Sequence, residues 1–200
     1  VRVADRAQLR QAFADLKQQV CVLEKMLPLE LECSVILARG ADGAMVHFPV
    51  QRNLHRAGIL AVTEVYEDAL PHDMATLAIQ SAIQIANELD YHGVLCVEFF
   101  LLQPGPQHDA LGPLVVNEIA PRPHNSGHHS IDSCDVSQFD LQVRCMAGLP
   151  LVPPRSHSAA VMLNILGDLW WPGAEPAGVP DQQDKKTHPA TEKLHVEIQI

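Results

Sequence analysis

The chain has 200 residues, enough for one domain or one domain with a small appendage. It is 47% hydrophobic and 19% charged, an ordinary globular composition, and 24 acidic against 14 basic residues give a net charge of −10. That balance argues against nucleic acid as a partner, which needs clustered Lys and Arg, but it leaves room for a nucleotide held through a metal ion. The longest apolar run, 94–102, is broken by Glu98 and falls far short of the ~20 residues that span a bilayer, so no membrane partner is expected. The N-terminus lacks the apolar region of a signal peptide. The five cysteines, an odd number without a C-x-x-C pair, read as reduced thiols in a cytoplasmic protein. The chain opens without Met and stops in the alternating run H-V-E-I-Q-I, which reads as a fragment of something longer.

In chain order, residues 5–19 read as a helix, with Asp5 as N-cap, Gln8 three residues on, and an apolar stripe through Leu9, Ala12, Phe13, Leu16 and Val20. Residues 20–26 read as a strand. The apolar runs 33–39 and 44–50 flank Gly40-Ala41-Asp42-Gly43, a hairpin signal. Residues 51–63 read as irregular and polar. Residues 73–90 predict a mostly buried helix capped by Asp73, with Gly93 just past its end. Residues 94–102 and 114–120 read as strands joined by a Pro-Gly-Pro loop over 103–112, and 138–147 reads as a helix ended by Gly148. Pro150, Pro153 and Pro154 mark a linker, followed by a strand at 159–166, a loop over 172–189 and a last strand at 193–200. This mixture points to α+β with a largely antiparallel sheet, divided into domains at 1–150 and 151–200.

Three places could carry chemistry. Glu98 interrupts G-V-L-C-V-E-F-F-L-L, where a carboxylate loses hydration unless a cation meets it, and Glu118 repeats the pattern in L-V-V-N-E-I-A beside Asn117. If the two strands pair antiparallel, the carboxylates share a face and suit Mg²⁺ that holds substrate phosphates. From pattern alone, a wet sheet face explains both glutamates slightly better. The loop A-P-R-P-H-N-S-G-H, with Arg122 bracketed by prolines, displays a guanidinium, imidazoles, an amide and a hydroxyl together. His124 and His128 have H-x-x-x-H spacing, but Pro123, Asn125 and Gly127 oppose the helix a zinc site of that kind needs. Glu24 and Lys25 follow a strand where the chain could bend round a flat ligand, although a surface ion pair fits the spacing better. The stretch N-L-H-R-A-G at 53–58 is weak by itself. No phosphate-binding G-x-x-x-x-G-K-[ST], no G-x-G-x-x-G and no G-x-S-x-G occurs.

Read together, V-L-E-K-M-L-P-L-E-L-E-C-S-V-I-L-A-R-G-A-D-G, F-P-V-Q-R-N-L-H-R-A-G-I-L and V-N-E-I-A-P-R-P-H-N-S-G-H, extended by D-V-S-Q-F-D and G-L-P-L, resemble the ATP-grasp family over about residues 1–167. The likeness is to its branch that carboxylates aminoimidazole ribonucleotide in purine synthesis. It implies the second half of an ATP-grasp domain, an antiparallel sheet with flanking helices, plus part of a small β-rich C-terminal domain. It implies that Glu24, Lys25 and Leu27 receive adenine, that Glu32 accepts from the ribose hydroxyls, and that His55 lies near the nucleotide. Glu98 and Glu118 would hold Mg²⁺ on the ATP phosphates with help from Asn117. Arg122 and His124 would face bicarbonate and the carboxyphosphate made from it, and Asn125, Ser126 and Gly127 would shape that pocket. The implied substrates are ATP, bicarbonate and aminoimidazole ribonucleotide, in a homodimer. The family's first subdomain, with its lysine and Gly-rich loop, has no counterpart here, and the last residues follow the family pattern poorly. A formate-dependent glycinamide ribonucleotide transformylase and a catalytically silent fragment are the alternatives.

Overall fold

The computed structural model describes residues 1–56, 58–165 and the backbone of 195–198. The chain divides into two units, Leu29–Gly167 and Val1–Pro28 with Asp168–Ile200.

The larger unit is built on an antiparallel sheet. Its centre pairs β3 (Leu29–Arg39) with β7 (Gly93–Leu102), the two strands that supply most of its buried core. Outward from β7 comes β8 (Leu114–Ala120). Outward from β3 come β5 (Gln51–Arg56), β6 (Ile59–Val65) and β9 (Ala160–Leu163), and short β4 (Met45–His47) also pairs with β3. Alternation gives each central strand two faces. One carries Cys33, Val35 and Leu37 of β3 with Leu95, Val97, Phe99 and Leu101 of β7, all buried. Helix α2 (His72–Glu88) covers that face through Ala78, Ala82 and Ala86, which lie four residues apart on one side and let the helix approach closely. Each large side chain buried there contributes roughly 1.5–3 kcal/mol.

The opposite face is apolar at one end only. Ile36, Ala38, Val94, Cys96 and Ala120 pack there against Phe48 and against Leu141 of α5 (Gln138–Ala147), which follows the one-turn helix α4 (Ser130–Ser133). Helix α5 starts at a reciprocal capping box between Ser137 and Asp140 and stops at Gly148, which takes the left-handed conformation at φ 64°. Further along β3, β7 and β8 the same face turns polar, with Ser34, Glu32, Glu98 and Glu118. That polar end is the candidate site.

Four expectations for the larger unit need correction. Residues 51–63 are not irregular: β5 and β6 form a hairpin whose inward residues Gln51, Asn53 and Thr63 are polar yet buried, so their alternation carries no apolar signal. Within 103–112 lies a short helix, α3 (Pro106–Leu111), started by Pro106 after Gly105, where proline's missing N–H costs nothing. Asp73 does not cap α2; Pro71 stands at the cap and Asp73 in the first turn. Strand β9 follows the Pro-rich stretch at 150–154 but joins the main sheet beside β6.

In the other unit, α1 (Arg6–Asp15) is capped by Asp5, whose carboxylate accepts from the N–H groups of Ala7 and Gln8 at 2.8 Å each. It ends short of residue 19, because Lys17 and Gln18 turn to positive φ. Its Leu9, Ala12 and Leu16 pack on Val3. Strands β1 (Arg2–Val3), β10 (His195–Ile198) and β2 (Val22–Lys25) pair in parallel in the order β1-β10-β2, and β2 is narrower than the strand expected over 20–26. The loop expected over 172–189 lies outside the described residues.

Candidate functional site

Glu98 and Glu118 face each other directly across the β7–β8 ladder. Two like charges on neighbouring strands repel unless a cation or proton intervenes. Just beyond the pair the register slips, leaving Asn117 as the extra residue of a β-bulge, a device that re-aims side chains. The Glu98 side chain is only 13% exposed. Loss of hydration pushes its carboxyl above the usual range; Glu118 and Glu32 add to the rise, while His55 and Arg122 oppose it.

Glu32 lies on β3, opposite Asn53 of β5. Its carboxylate touches Nδ1 of His55, and that hydrogen bond outweighs burial to raise the imidazole's pKa. Glu98, though not in contact, adds to that rise. Beside this pair is a cavity of about 250 Å³, walled by Leu29, Leu31, Glu32, Asn53 and His55 among others.

His124 comes from the loop after β8. Burial, with the nearby Arg122 and His55, drives its pKa down to about 4, so the ring is neutral at pH 7. Its Nε2 lies 3.6 Å from Glu98 Oε1, a contact between an uncharged ring and a carboxyl rather than an ion pair. Its Nδ1 is 2.9 Å from Ser126 Oγ, which is 2.9 Å from Ser34 Oγ. Ser34 also accepts from Asn53 Nδ2 at 2.9 Å and donates to Gln51 Oε1 at 3.2 Å, and Thr63 Oγ1 donates to Asn53 Oδ1 at 3.0 Å. A buried polar chain therefore runs from β6 to the histidine. Residues Asn125–Gly127 form a single 3₁₀ turn, with Ser126 and Gly127 buried. Arg122 is exposed, its Nη1 donating to the Pro123 carbonyl at 3.0 Å. His128 points away to the surface, its ring centre 5.7 Å from that of Phe139.

The structure brings Glu32, His55, Glu98, Asn117, Glu118, His124 and Ser126 to one region of the larger unit. Glu24, Lys25 and Leu27 lie in the other unit, with Glu24 and Lys25 on exposed β2. Sequence reasoning missed Ser34, Gln51, Thr63 and Gln138 as supports, and saw Asn53 only as part of a weak motif. The available signal was the alternation of polar residues at 51 and 53, which marks a strand with a hydrogen-bonded inner face. Among the described residues no three His, Cys, Asp or Glu side chains converge as a metal cage. The donor set does fit Mg²⁺, which takes one or two carboxylates and draws its remaining ligands from water and phosphate, and Glu98 holds its carboxyl largely out of water.

The larger unit thus sets two facing carboxylates on the polar end of an antiparallel sheet, with an Arg/His loop beside them. The chain belongs to the ATP-grasp family, whose domain matches residues 1–139. Among curated relatives it is 37% identical over 166 residues to N5-carboxyaminoimidazole ribonucleotide synthase of Bacillus subtilis, covering 83% of this chain and 42% of that one. It is 41% identical over 170 residues to the same-named protein of Brucella melitensis, covering 84% and 45%. A solved ADP complex of an N5-carboxyaminoimidazole ribonucleotide synthetase superimposes with TM-score 0.74 at 37% identity, over 83% of this chain and 42% of that one. The Aspergillus clavatus enzyme, solved with ADP and 5-aminoimidazole ribonucleotide, gives 0.63 at 28% identity over 71% and 36%. The chain thus spans less than half the length of these relatives.

Proposed function

We propose that this chain supplies the metal- and nucleotide-holding half of an enzyme that carboxylates aminoimidazole ribonucleotide with ATP and bicarbonate. The in-register pair Glu98 and Glu118, facing the Arg122–His124 loop, carries this reading. The likeness to synthases of that name, one solved with ADP and aminoimidazole ribonucleotide, supports the choice of substrates.

Glu98 and Glu118 would hold Mg²⁺ with Asn117 beside them, and the ion's chemistry there is to neutralise charge on the ATP phosphates. Glu32, in contact with His55, would accept hydrogen bonds from the ribose. Glu24, Lys25 and Leu27 are assigned to adenine on the family resemblance. Arg122, exposed and always charged, would bind bicarbonate and offset the negative charge that gathers as its oxygen takes the γ-phosphoryl group, giving carboxyphosphate and ADP. Carboxyphosphate then loses phosphate as the amine of aminoimidazole ribonucleotide takes the carboxyl group and sheds a proton. His124, neutral and half-buried, would lie against the reacting carboxyl without adding charge, and Asn125, Ser126 and Gly127 would close the pocket round it. The reading extends to a cytoplasmic homodimer. Among the described residues no helix is long and apolar enough to cross a membrane.

The test is a chimera in which residues 29–165 replace the matching segment of the Bacillus subtilis relative. Phosphate release from ATP that needs both aminoimidazole ribonucleotide and bicarbonate is the expected result. Release driven by formate and glycinamide ribonucleotide would reassign the substrates, and intact ADP binding with no stimulated release would contradict the proposal.

A further inference from the structure

The motif S-Q-F at 137–139 has no role in the site so far, yet Gln138 is fully buried at the first turn of α5. Its amide meets the backbone of His124, 14 residues earlier, from both sides. Oε1 accepts from the His124 N–H at 2.9 Å, and Nε2 donates to the His124 carbonyl at 2.7 Å. The two bonds imitate one rung of a β-ladder, with a side chain in place of the partner strand. The backbone N–H of Gln138 donates to Ser130 Oγ at 3.1 Å, and that hydroxyl donates to the Gly127 carbonyl at 2.5 Å. The turn and the helix are therefore tied at three points.

Gly127 makes room for this. A Cβ there would lie 2.6 Å from Gln138 Oε1 and 2.4 Å from Ile36 Cδ1. An ordinary structural glutamine needs neither a double bond to one backbone residue nor a glycine cleared for its amide. The residue it grips is the one whose ring meets Ser126 Oγ and Glu98.

We propose that Gln138 is a positioning residue for His124: its side-chain amide fixes the backbone of residue 124 so that the imidazole is held between Ser126 and Glu98. This rests on the role given to His124 above, but it is tested by reading placement rather than turnover, so the two stand or fall separately.

The experiment is NMR on the whole chain. In the wild type the His124 amide exchanges slowly, because Gln138 Oε1 covers it; exchange at the rate of an exposed loop overturns the proposal without any variant. In Gln138→Met the His124 amide is expected to exchange about 100-fold faster, and cross-peaks between its ring and Ser126 are lost, while the contact of His55 with Glu32 persists. Unchanged His124 ring signals in that variant would overturn it. Gln138→Glu, which keeps the acceptor and loses the donor at pH 8, should keep the amide protected while shifting the His124 carbonyl signal. If Gln138→Met fails to fold, that pair of signals in the Glu variant decides, and an unshifted carbonyl counts against the proposal.

Discussion

Glu98 sits where a carboxylate is uncomfortable: poorly hydrated, opposite Glu118 and near Glu32. That discomfort is useful if a cation is to be held, and it has a measurable cost without one. Glu98→Gln should stabilise the ligand-free chain by about 1 kcal/mol, raising its melting temperature by a few degrees. The same change should weaken magnesium-dependent ADP binding by about tenfold or more. A variant that melts lower and binds as well would show that Glu98 is a structural group. The histidines act in the opposite direction with pH. Burial holds both His124 and His129 near pKa about 4, against 6.5 for a free imidazole. The unfolded chain therefore takes up protons first, so stability is full above about pH 6.5 and falls as pH drops toward 4, by roughly a few kcal/mol per histidine. The raised Glu98 favours the protonated folded state and offsets part of that loss. Urea unfolding at pH 7, 5.5 and 4.5 should show a falling midpoint; a flat profile would mean that neither ring is buried as described.

The β5–β6 hairpin shows why elements differ in how well sequence reveals them. Its inner residues Gln51, Asn53 and Thr63 are buried because they bond to one another or to Ser34, which in turn meets Ser126, not because they are apolar. Periodicity of hydrophobic residues cannot see such a strand, so the segment reads as loop. The apolar strands β3 and β7, α2, and the Gly148 stop of α5 were plain from pattern. The Glu98–Glu118 pairing followed from the antiparallel assumption. The support of His124 by Gln138 was not visible, since a tertiary contact over 14 residues leaves no local trace. Close packing at that support makes a sharp expectation. Gly127→Ala should destabilise the chain by about 2 kcal/mol, because its methyl group must displace both Ile36 and Gln138. Denaturant titration checks this, and a change under about 0.5 kcal/mol would mean that the turn is looser than described.

Across the whole chain, the net charge of −10 and the half-buried carboxylates of the site point the same way. An acidic protein meets a nucleotide's phosphates most readily through a cation, the role proposed above for an ion held by Glu98 and Glu118. Family membership accounts for the architecture, and the local electrostatics say where in it the charge is stored. The most direct measurement is calorimetric titration of the chain with ADP, with magnesium and then with the metal chelated, in the wild type and in Glu118→Gln. Binding that requires magnesium in the wild type and loses that requirement together with most of its affinity in the variant is the expected result. ADP affinity that is equal with and without the metal in both proteins would contradict the assignment of Glu98 and Glu118 as the magnesium carboxylates.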